Sequence, residues 1–332
     1  MNAGPDVDGV LVQWGDRLFY PKNRIVPTAP TPRLSGSIAQ RAAAIRQHIR
    51  ATVVRRAPQV MVKVTGGGRG MAAIAAHFRY ITRNGERPFE DDRGAVREGK
   101  DALRDLADQW RYGGSFIGET SHRREAFNIM LSMPRGTDPL IVQRAAREFA
   151  RAELSDHRYV MVLHDHQANP HVHISVRAES RHGQRLNPRK ADLQRWRETF
   201  AERLRGWGIE AEATRQATRG EMRRDEPLWR VKAAEDGRLR SPRPEAKSGP
   251  RFERNRAEAI VAWAHVIRAL AHSDVAEDRV LAQRIDRYVR STPFAIQAMR
   301  KLENRHEQRR QEIASEKDRI VDRGRKGPEI ER

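Results

Sequence analysis

Cysteine is absent from the 332-residue sequence, which excludes disulfide bonds and thiolate metal sites. This absence fits a reducing cytoplasm, the location we expect. Long apolar runs are missing too: none approaches the roughly 20 residues needed to cross a bilayer, and the N-terminus shows no signal-peptide pattern. Hydrophobic residues make up only 38% of the chain, so we expect extended segments beside one sizeable core.

Acidic residues are fewer than basic residues in this sequence. The 44 acidic residues stand against 64 basic ones, of which 55 are Arg and 9 are Lys, for a formal net charge of +20. The planar guanidinium of arginine makes bidentate contacts with phosphate. The composition therefore favours a polyanionic partner.

Histidines are concentrated in one place. Four of the twelve lie within residues 164–173. The apolar, β-branched runs at residues 159–163 and 172–176 predict two strands, and Asn169-Pro170 marks the turn between them.

The spacing of these histidines predicts a metal site. Side chains alternate along a strand, so His171 and His173 share one face, as do His164 and His166 on the preceding strand. Cross-strand neighbours in a hairpin lie about 5 Å apart. Three neutral imidazoles on adjacent strands form a divalent-metal site with open positions. A polar hairpin with surface histidines is the alternative, which four histidines in phase make less favourable.

The pattern around the histidines predicts an α+β fold with a mainly antiparallel central sheet flanked by helices, followed by a helical C-terminal region. The predicted strands cover residues 59–65, 125–133, 159–163, 172–176 and 209–213, and the predicted helices cover residues 71–83, 100–112, 138–154 and 189–207. Four regions follow: a partly disordered basic extension (1–57), the sheet domain (58–214), a linker (215–252) and helices with a disordered tail (253–332).

A glycine-rich loop at residues 66–70 precedes the first helix of the sheet domain. It lacks the Gly-Lys-Ser/Thr ending of a P-loop. Two interpretations stay open: backbone N–H groups that approach a phosphate, or a structural turn. In the helix that follows, Ile74, Phe78 and Ile81 form the buried stripe. Tyr80 lies off that stripe, either as a surface residue or presented for chemistry.

Three stretches carry a resemblance to a known family: residues 62–68 leading into 77–85, residues 131–137, and residues 164–173. Over roughly residues 58–214 the chain resembles the relaxase (mobilisation nuclease) family, in the branch that contains the T-DNA border endonuclease. The resemblance implies the fold of the histidine–hydrophobic–histidine (HUH) endonucleases.

The resemblance also implies the roles of single residues. Tyr80 matches the family nucleophile, and His164, His171 and His173 match the ligands of a divalent metal ion, Mg²⁺ or Mn²⁺. The tyrosine precedes the histidine motif, as in relaxases, whereas in rolling-circle replication initiators it follows.

One position departs from the family pattern. The family has Asp two residues after the first histidine, where this chain has His166. Asp165 lies one place earlier and should face away from His164 by strand alternation. We therefore expect His166 to be catalytic, either by orienting a ligand or by helping to take the tyrosine proton, or to add a metal ligand.

The implied activity is nicking of single-stranded DNA at a transfer origin, with a 5′-phosphotyrosyl intermediate, during conjugative mobilisation. Arg69, Arg79, Arg83 and Arg177 are the candidate phosphate contacts. Relaxosome accessory proteins and a coupling protein are the expected partners, without membrane insertion.

Three alternatives compete with this interpretation. One is a rolling-circle replication initiator, whose tyrosine would have to be Tyr288, the only tyrosine after the histidines. A second is a non-catalytic DNA-binding accessory protein with a structural metal site. The third is a basic nucleic-acid-binding protein with surface histidines.

Overall fold

The computed structural model describes residues 6–20, 36–166, 168–222, 233, 236–239 and 248–325. These residues form two compact units. The sheet unit consists of the described residues between 54 and 214. The helical unit combines the described residues up to 53 with those from 215 onwards.

Helices and strands alternate through the middle of the chain, and helices alone flank them on both sides. In chain order the elements are α1 (Val7–Phe19), α2 (Ile38–Ile49) with a π-helical continuation (Arg50–Val54), β1 (Met61–Gly66), α3 (Met71–Ile81), β2 (Phe89–Asp91), β3 (Val96–Arg97), α4 (Lys100–Tyr112), β4 (Ala126–Ser132), α5 (Pro139–Glu153), β5 (His157–His164), β6 (His171–Ser180), α6 (Lys190–Gly206), α7 (Pro250–Ala271), α8 (Ala276–Arg290) and α9 (Pro293–Arg325).

The six strands of the sheet unit form one sheet in the order β1-β4-β6-β5-β2-β3, in which all neighbouring strands are antiparallel. On one face, Val172, Ile174 and Val176 of β6 are fully buried in the main core, together with apolar residues of α5 and α6. Full burial of each such side chain contributes about 1.5–3 kcal/mol. This face fixes the register of β6, because a slip of one residue would expose all three.

On the other face, α3 and α4 pack over β5. Phe78 and Trp110 meet edge to face with ring centroids 4.9 Å apart, and both lie in one cluster with Val160 and Val162. The histidines of β6 lie on this same face of the sheet, next to α3. The last turn of α3 is thereby brought beside them.

The α+β fold class is confirmed, but two local predictions differ from the structure. The β2–β3 hairpin was not predicted, because strands of three and two residues are too short to show a period-two pattern. The predicted strand at residues 209–213 is reduced to a single parallel bridge between Gln59 and Glu212.

The N-terminal region contains one helix, α1, that the sequence pattern did not indicate, whereas α2 with its continuation covers an Ala- and Arg-rich run, residues 38–54, whose composition favours a basic helix. Within residues 1–57 the structure forms α1 and α2, and α1 packs against α2 and α7. The stretches predicted to be disordered or to serve as a linker, within 1–57, 215–252 and the C-terminal tail, fall largely outside the described residues. The predicted domain boundaries stay a prediction.

A partly buried ion-pair network, called the Arg46 cluster below, connects three helices of the helical unit. Arg46 on α2 donates through Nε and Nη2 to both carboxylate oxygens of Asp278 on α8, at 2.9 and 2.8 Å. Its Nη1 donates to Asp8 on α1 at 2.8 Å. Asp278 also accepts from the hydroxyl of Ser273 at 3.0 Å. Every charge in this cluster is therefore compensated by a neighbour.

Candidate metal and nucleophile site

Three buried histidines lie together where β5 ends and β6 begins. His164 pairs directly with His171 across the two strands, and His173 follows two residues later on the same face. Their ring centroids are 4.6 to 5.1 Å apart. One nitrogen from each ring lies within 4.8 Å of the others, and all three side chains are buried. A single ion about 2.1 Å from each nitrogen can bridge this spacing after small side-chain adjustments.

Backbone carbonyls fix which ring nitrogen carries the proton in two of these histidines. Nε2–H of His164 donates to the carbonyl oxygen of Ile81 at 2.7 Å, and Nδ1–H of His171 donates to that of Asn169 at 2.9 Å. A carbonyl oxygen only accepts, so Nδ1 of His164 and Nε2 of His171 carry the lone pairs. This is the outer-shell arrangement that orients metal-binding imidazoles.

The ring of the third histidine, His173, is also suited to bind a metal ion. Nδ1 of His173 is buried and has no hydrogen-bond partner among the described residues. Burial, together with the nearby histidines, lowers the pKa of His173 to about 3 and the pKa of His164 to about 4. Both rings are therefore neutral at pH 7, which is the form that binds a metal ion.

Tyr80 lies beside this cluster on the last turn of α3. Its ring centroid is 6.3 Å from that of His173, and the side chain is 61% exposed. The predicted stripe of α3 is buried as expected, which leaves Tyr80 off the packed face. The carbonyl that receives the His164 hydrogen bond belongs to Ile81, the next residue. The end of the tyrosine helix is thus bonded directly to one of the three histidines.

His77 is a site residue to which the sequence reasoning gave no role. Its ring lies 6.1 Å from the ring of Tyr80 and 6.3 Å from that of His173. Burial lowers the pKa of His77 to about 4, and Nε2 is buried without a partner among the described residues. The signal was present, because a residue three positions before Tyr80 on a helix lies on its side of the helix.

His166 lies just beyond the end of β5, outside the three-histidine cluster found among the described residues. It is exposed, and its ring centroid is 5.3 Å from that of His164. Nδ1 of His166 accepts from Nη2 of Arg87 at 3.0 Å, and Asp165 pairs with Nη1 of the same arginine at 3.1 Å. The sequence reasoning missed Arg87, because 79 residues separate it from His166.

The glycine-rich loop is a structural turn. The backbone N–H groups of Met71 and Ala72, at the start of α3, donate to the carbonyls of Gly118 and Glu119 at 2.9 and 3.2 Å. A Cβ at Gly70 would stand 2.3 Å from the Glu119 carbonyl oxygen. The N–H groups of Met71 and Ala72 are therefore already used within the protein, which favours the structural-turn interpretation.

The four candidate arginines have different surroundings. Arg69, Arg79 and Arg83 are exposed. Arg177 is buried and donates to the carbonyls of Trp110, Gly113 and Ser115. Strand alternation correctly predicts that Arg177 lies on the histidine face of β6. It gives no sign that carbonyl groups at and just after the end of α4 accept hydrogen bonds from the Arg177 guanidinium. The structure therefore does not support a DNA contact by Arg177.

Comparison with known protein families agrees with this geometry. Residues 81–209 match the family model described as "Relaxase: MobA/VirD2-like, nuclease domain". The match contains the whole histidine hairpin and begins one residue after Tyr80. No curated protein matches the chain. Among the described residues, no helix combines the length and the apolar character that crossing a membrane requires.

The family match covers strands β2 to β6 and the histidine cluster, whereas β1 and nearly all of α3 lie before it. Relaxase nuclease domains nick DNA, bind single strands and generally use a divalent metal ion, and a cluster of three buried histidines is compatible with such an ion. Residues 81–209 are thus similar to a relaxase nuclease domain, and the α+β architecture of the sheet unit is consistent with that similarity.

Proposed function

We propose that the protein nicks single-stranded DNA at a transfer origin by tyrosine transesterification, in conjugative mobilisation. The observation that carries the proposal is the position of Tyr80, whose exposed ring lies 6.3 Å from the ring of His173 in the buried histidine cluster. The cluster and the tyrosine come from distant segments of the chain. In this proposal both act on the same phosphate, because the fold brings their rings side by side.

His164, His171 and His173 are the residues that would hold a divalent ion. The fit rests on the burial of the three rings, on the two carbonyl bonds and on Nδ1 of His173, which has no hydrogen-bond partner among the described residues. Nitrogen ligands favour Mn²⁺ over Mg²⁺. When bound, the ion would supply charge stabilisation at a non-bridging phosphate oxygen.

The chemistry assigned to Tyr80 is a balanced exchange of ester bonds. The phenolic oxygen forms a bond to phosphorus, and the bond from phosphorus to the 3′ oxygen of the preceding nucleotide breaks. The phenol loses its proton, and the departing 3′ oxygen gains one. One phosphodiester replaces another, so the strand can be rejoined by the reverse step without ATP.

The surroundings of the site fit a nucleic-acid strand. Arg69, Arg79 and Arg83 are exposed on α3 and its two flanking turns, and the whole chain has a formal charge of +20. We assign these three arginines to phosphate contacts, which position a strand without reading its sequence. Relaxosome accessory proteins and a coupling protein in the cytoplasm belong to the same proposal.

The competing functions differ in what they require of the tyrosines. A replication initiator would use Tyr288, which is only 4% exposed and meets Trp263 edge to face in the core of the helical unit. A non-catalytic accessory protein with a structural metal site would need no tyrosine at all. The exposed phenol beside the cluster favours the relaxase activity over both.

The test is Tyr80→Phe, assayed with labelled single strands that span the candidate transfer origin. We expect the variant to lose both the nick and the covalent protein–DNA adduct, while it keeps its affinity for the strand, because only the nucleophilic oxygen is removed. Tyr112→Phe is the matched control: Tyr112 is also exposed, on α4, and this variant should nick like the wild type. An adduct that persists in Tyr80→Phe would exclude Tyr80 as the nucleophile.

A further inference from the structure

Arg87 binds three groups at the end of β5. Its guanidinium donates to the carbonyl oxygen of Leu163 at 3.3 Å, to the carboxylate of Asp165 at 3.1 Å and to Nδ1 of His166 at 3.0 Å. The Arg87 side chain is only 19% exposed, so the fold holds it in place. This single side chain therefore controls how the segment after His164 is arranged.

The bond to His166 determines the protonation of that ring. A guanidinium carries donors only, so Nδ1 of His166 must be the acceptor. A neutral imidazole with an unprotonated Nδ1 carries its proton on Nε2. In this arrangement neither nitrogen is available to ligate a metal ion or to take a proton from Tyr80. His166 instead offers one N–H donor.

The charges around that donor favour an anion. Arg87 holds the ring from one side, and exposed Arg83 is close enough to act on His166 electrostatically. The acidic neighbour, Asp165, is already paired with Arg87. The ring of His166 is itself exposed, 5.3 Å from the ring of His164. The N–H donor of His166 therefore belongs to an exposed ring beside the histidine cluster, where the proposed function brings a phosphate.

We propose that His166 binds a non-bridging oxygen of the scissile phosphate through Nε2–H, with Arg87 as the positioning residue that sets its tautomer. This inference rests on the proposed function and replaces the base and ligand roles considered for His166. It also gives a physical explanation for His166 at the position where the family has Asp. An ionised Asp at this position accepts hydrogen bonds only, whereas His166 held by Arg87 donates one.

The first test reads the tautomer directly, without reference to activity. Nitrogen NMR of ¹⁵N-histidine-labelled, metal-free protein at neutral pH should show His166 protonated on Nε2 and unprotonated on Nδ1. Arg87→Ala should abolish this preference, and the signals of His157, which bonds to the Arg177 carbonyl, should stay unchanged as a control. A proton on Nδ1 of His166 in the wild type would overturn the proposal.

The second test measures strand binding and metal binding in the Tyr80→Phe background, where no cleavage interferes. His166→Ala should weaken binding of a single strand that spans the candidate origin by on the order of tenfold, the value of one charge-assisted hydrogen bond. His166→Gln, which keeps a donor, should bind nearly as well as the parent. Mn²⁺ affinity should be the same in all three proteins. A fall in Mn²⁺ affinity on His166→Ala would mean that His166 is a ligand.

The third test compares nicking rates in the protein with Tyr80 intact. His166→Ala should slow the single-turnover nick by roughly 10²–10³-fold, as removal of one oxyanion donor does elsewhere. His166→Asp, which restores the family residue, should be as slow as His166→Ala. Nicking by His166→Asp at the wild-type rate would show that the site needs an acceptor, against our proposal. If Tyr80→Phe still nicks, the proposed function fails, while the NMR and binding results still decide the role of His166.

Discussion

Two polar clusters, a partly buried one in the helical unit and a buried one in the sheet unit, are built in opposite ways. In the Arg46 cluster the guanidinium and the carboxylates satisfy one another, and a serine hydroxyl satisfies Asp278 further. In the histidine cluster the outer nitrogens of His164 and His171 bond to carbonyls, while the inner ring atoms are left without a bond to each other. A closed cluster can only stabilise the fold, whereas an open one retains capacity to bind a ligand. Burial alone does not distinguish the two.

The largest effect should come from removing one histidine of the histidine cluster. His171→Ala removes a ligand nitrogen, and loss of an outer-shell partner alone costs about 10–100-fold in metal affinity or activity. We expect Mn²⁺ affinity and the nicking rate to fall together by more than about 100-fold. Calorimetric titration with Mn²⁺ and the strand-nicking assay measure the two. Binding of Mn²⁺ at wild-type strength would contradict the ligand assignment.

Breaking the Arg46 cluster should lower the free energy of unfolding and leave metal binding unchanged. Asp278→Ala leaves Arg46 without its main partner, and removing one member of a buried ion pair costs about 3 kcal/mol. Chemical denaturation should show this loss in the helical unit. Mn²⁺ binding by the histidine cluster should be unchanged. If Asp278→Ala is as stable as the wild type, the Arg46 cluster contributes no net stability.

The smallest effect should be a difference in pH response between the clusters. The pKa values of His164 and His173 in the folded protein, about 4 and about 3, lie below the ordinary value of 6.5. The unfolded chain therefore binds more protons between pH 6.5 and about 3, and stability of the metal-free sheet unit should fall as the pH is lowered through that window. Above pH 6.5 these groups should have no effect.

The Arg46 cluster should respond only at lower pH. Burial acts to raise the pKa of Asp278, but the hydrogen bonds from Arg46 and Ser273 and the positive charge of Arg46 together outweigh it, so the pKa lies below the ordinary 3.8. Its contribution is present above pH 3.8 and is lost below that value. Amide hydrogen exchange, corrected for intrinsic rates, separates the units: β5 and β6 should lose protection before α7 and α8. Loss of protection at the same pH in both units would contradict the separate pH windows. Added Mn²⁺ should move the loss of protection in β5 and β6 to lower pH.

The sequence predicted those features that follow from a local period. Alternation in β6 placed His171 and His173 on one face with the valines and Ile174 on the other, as the structure has them. The helical period of α3 separated Tyr80 from its buried stripe. A β-hairpin then brings His164 opposite His171 by register alone.

The features that were missed depend on contacts between distant segments. Arg87 reaches His166 because three successive residues after α3, Arg83, Asn84 and Gly85, adopt positive φ values of 50°, 58° and 90° and turn the chain back. The burial of Arg177 depends on where α4 happens to end. No single-segment pattern contains either piece of information, since each is fixed by tertiary packing.

The bond from His164 to the carbonyl of Ile81 joins the helix of the proposed nucleophile to the cluster through the main chain. Substitutions of the side chain at position 81 leave that oxygen in place, so no point mutation there deletes the link. A one-residue insertion or deletion between Tyr80 and Ile81 is different, because it would swing the phenol about 100° around the helix axis while the bond held the helix end still. The spacing of these two positions, rather than the chemistry of either neighbour, is what an engineer transplanting this site would have to preserve.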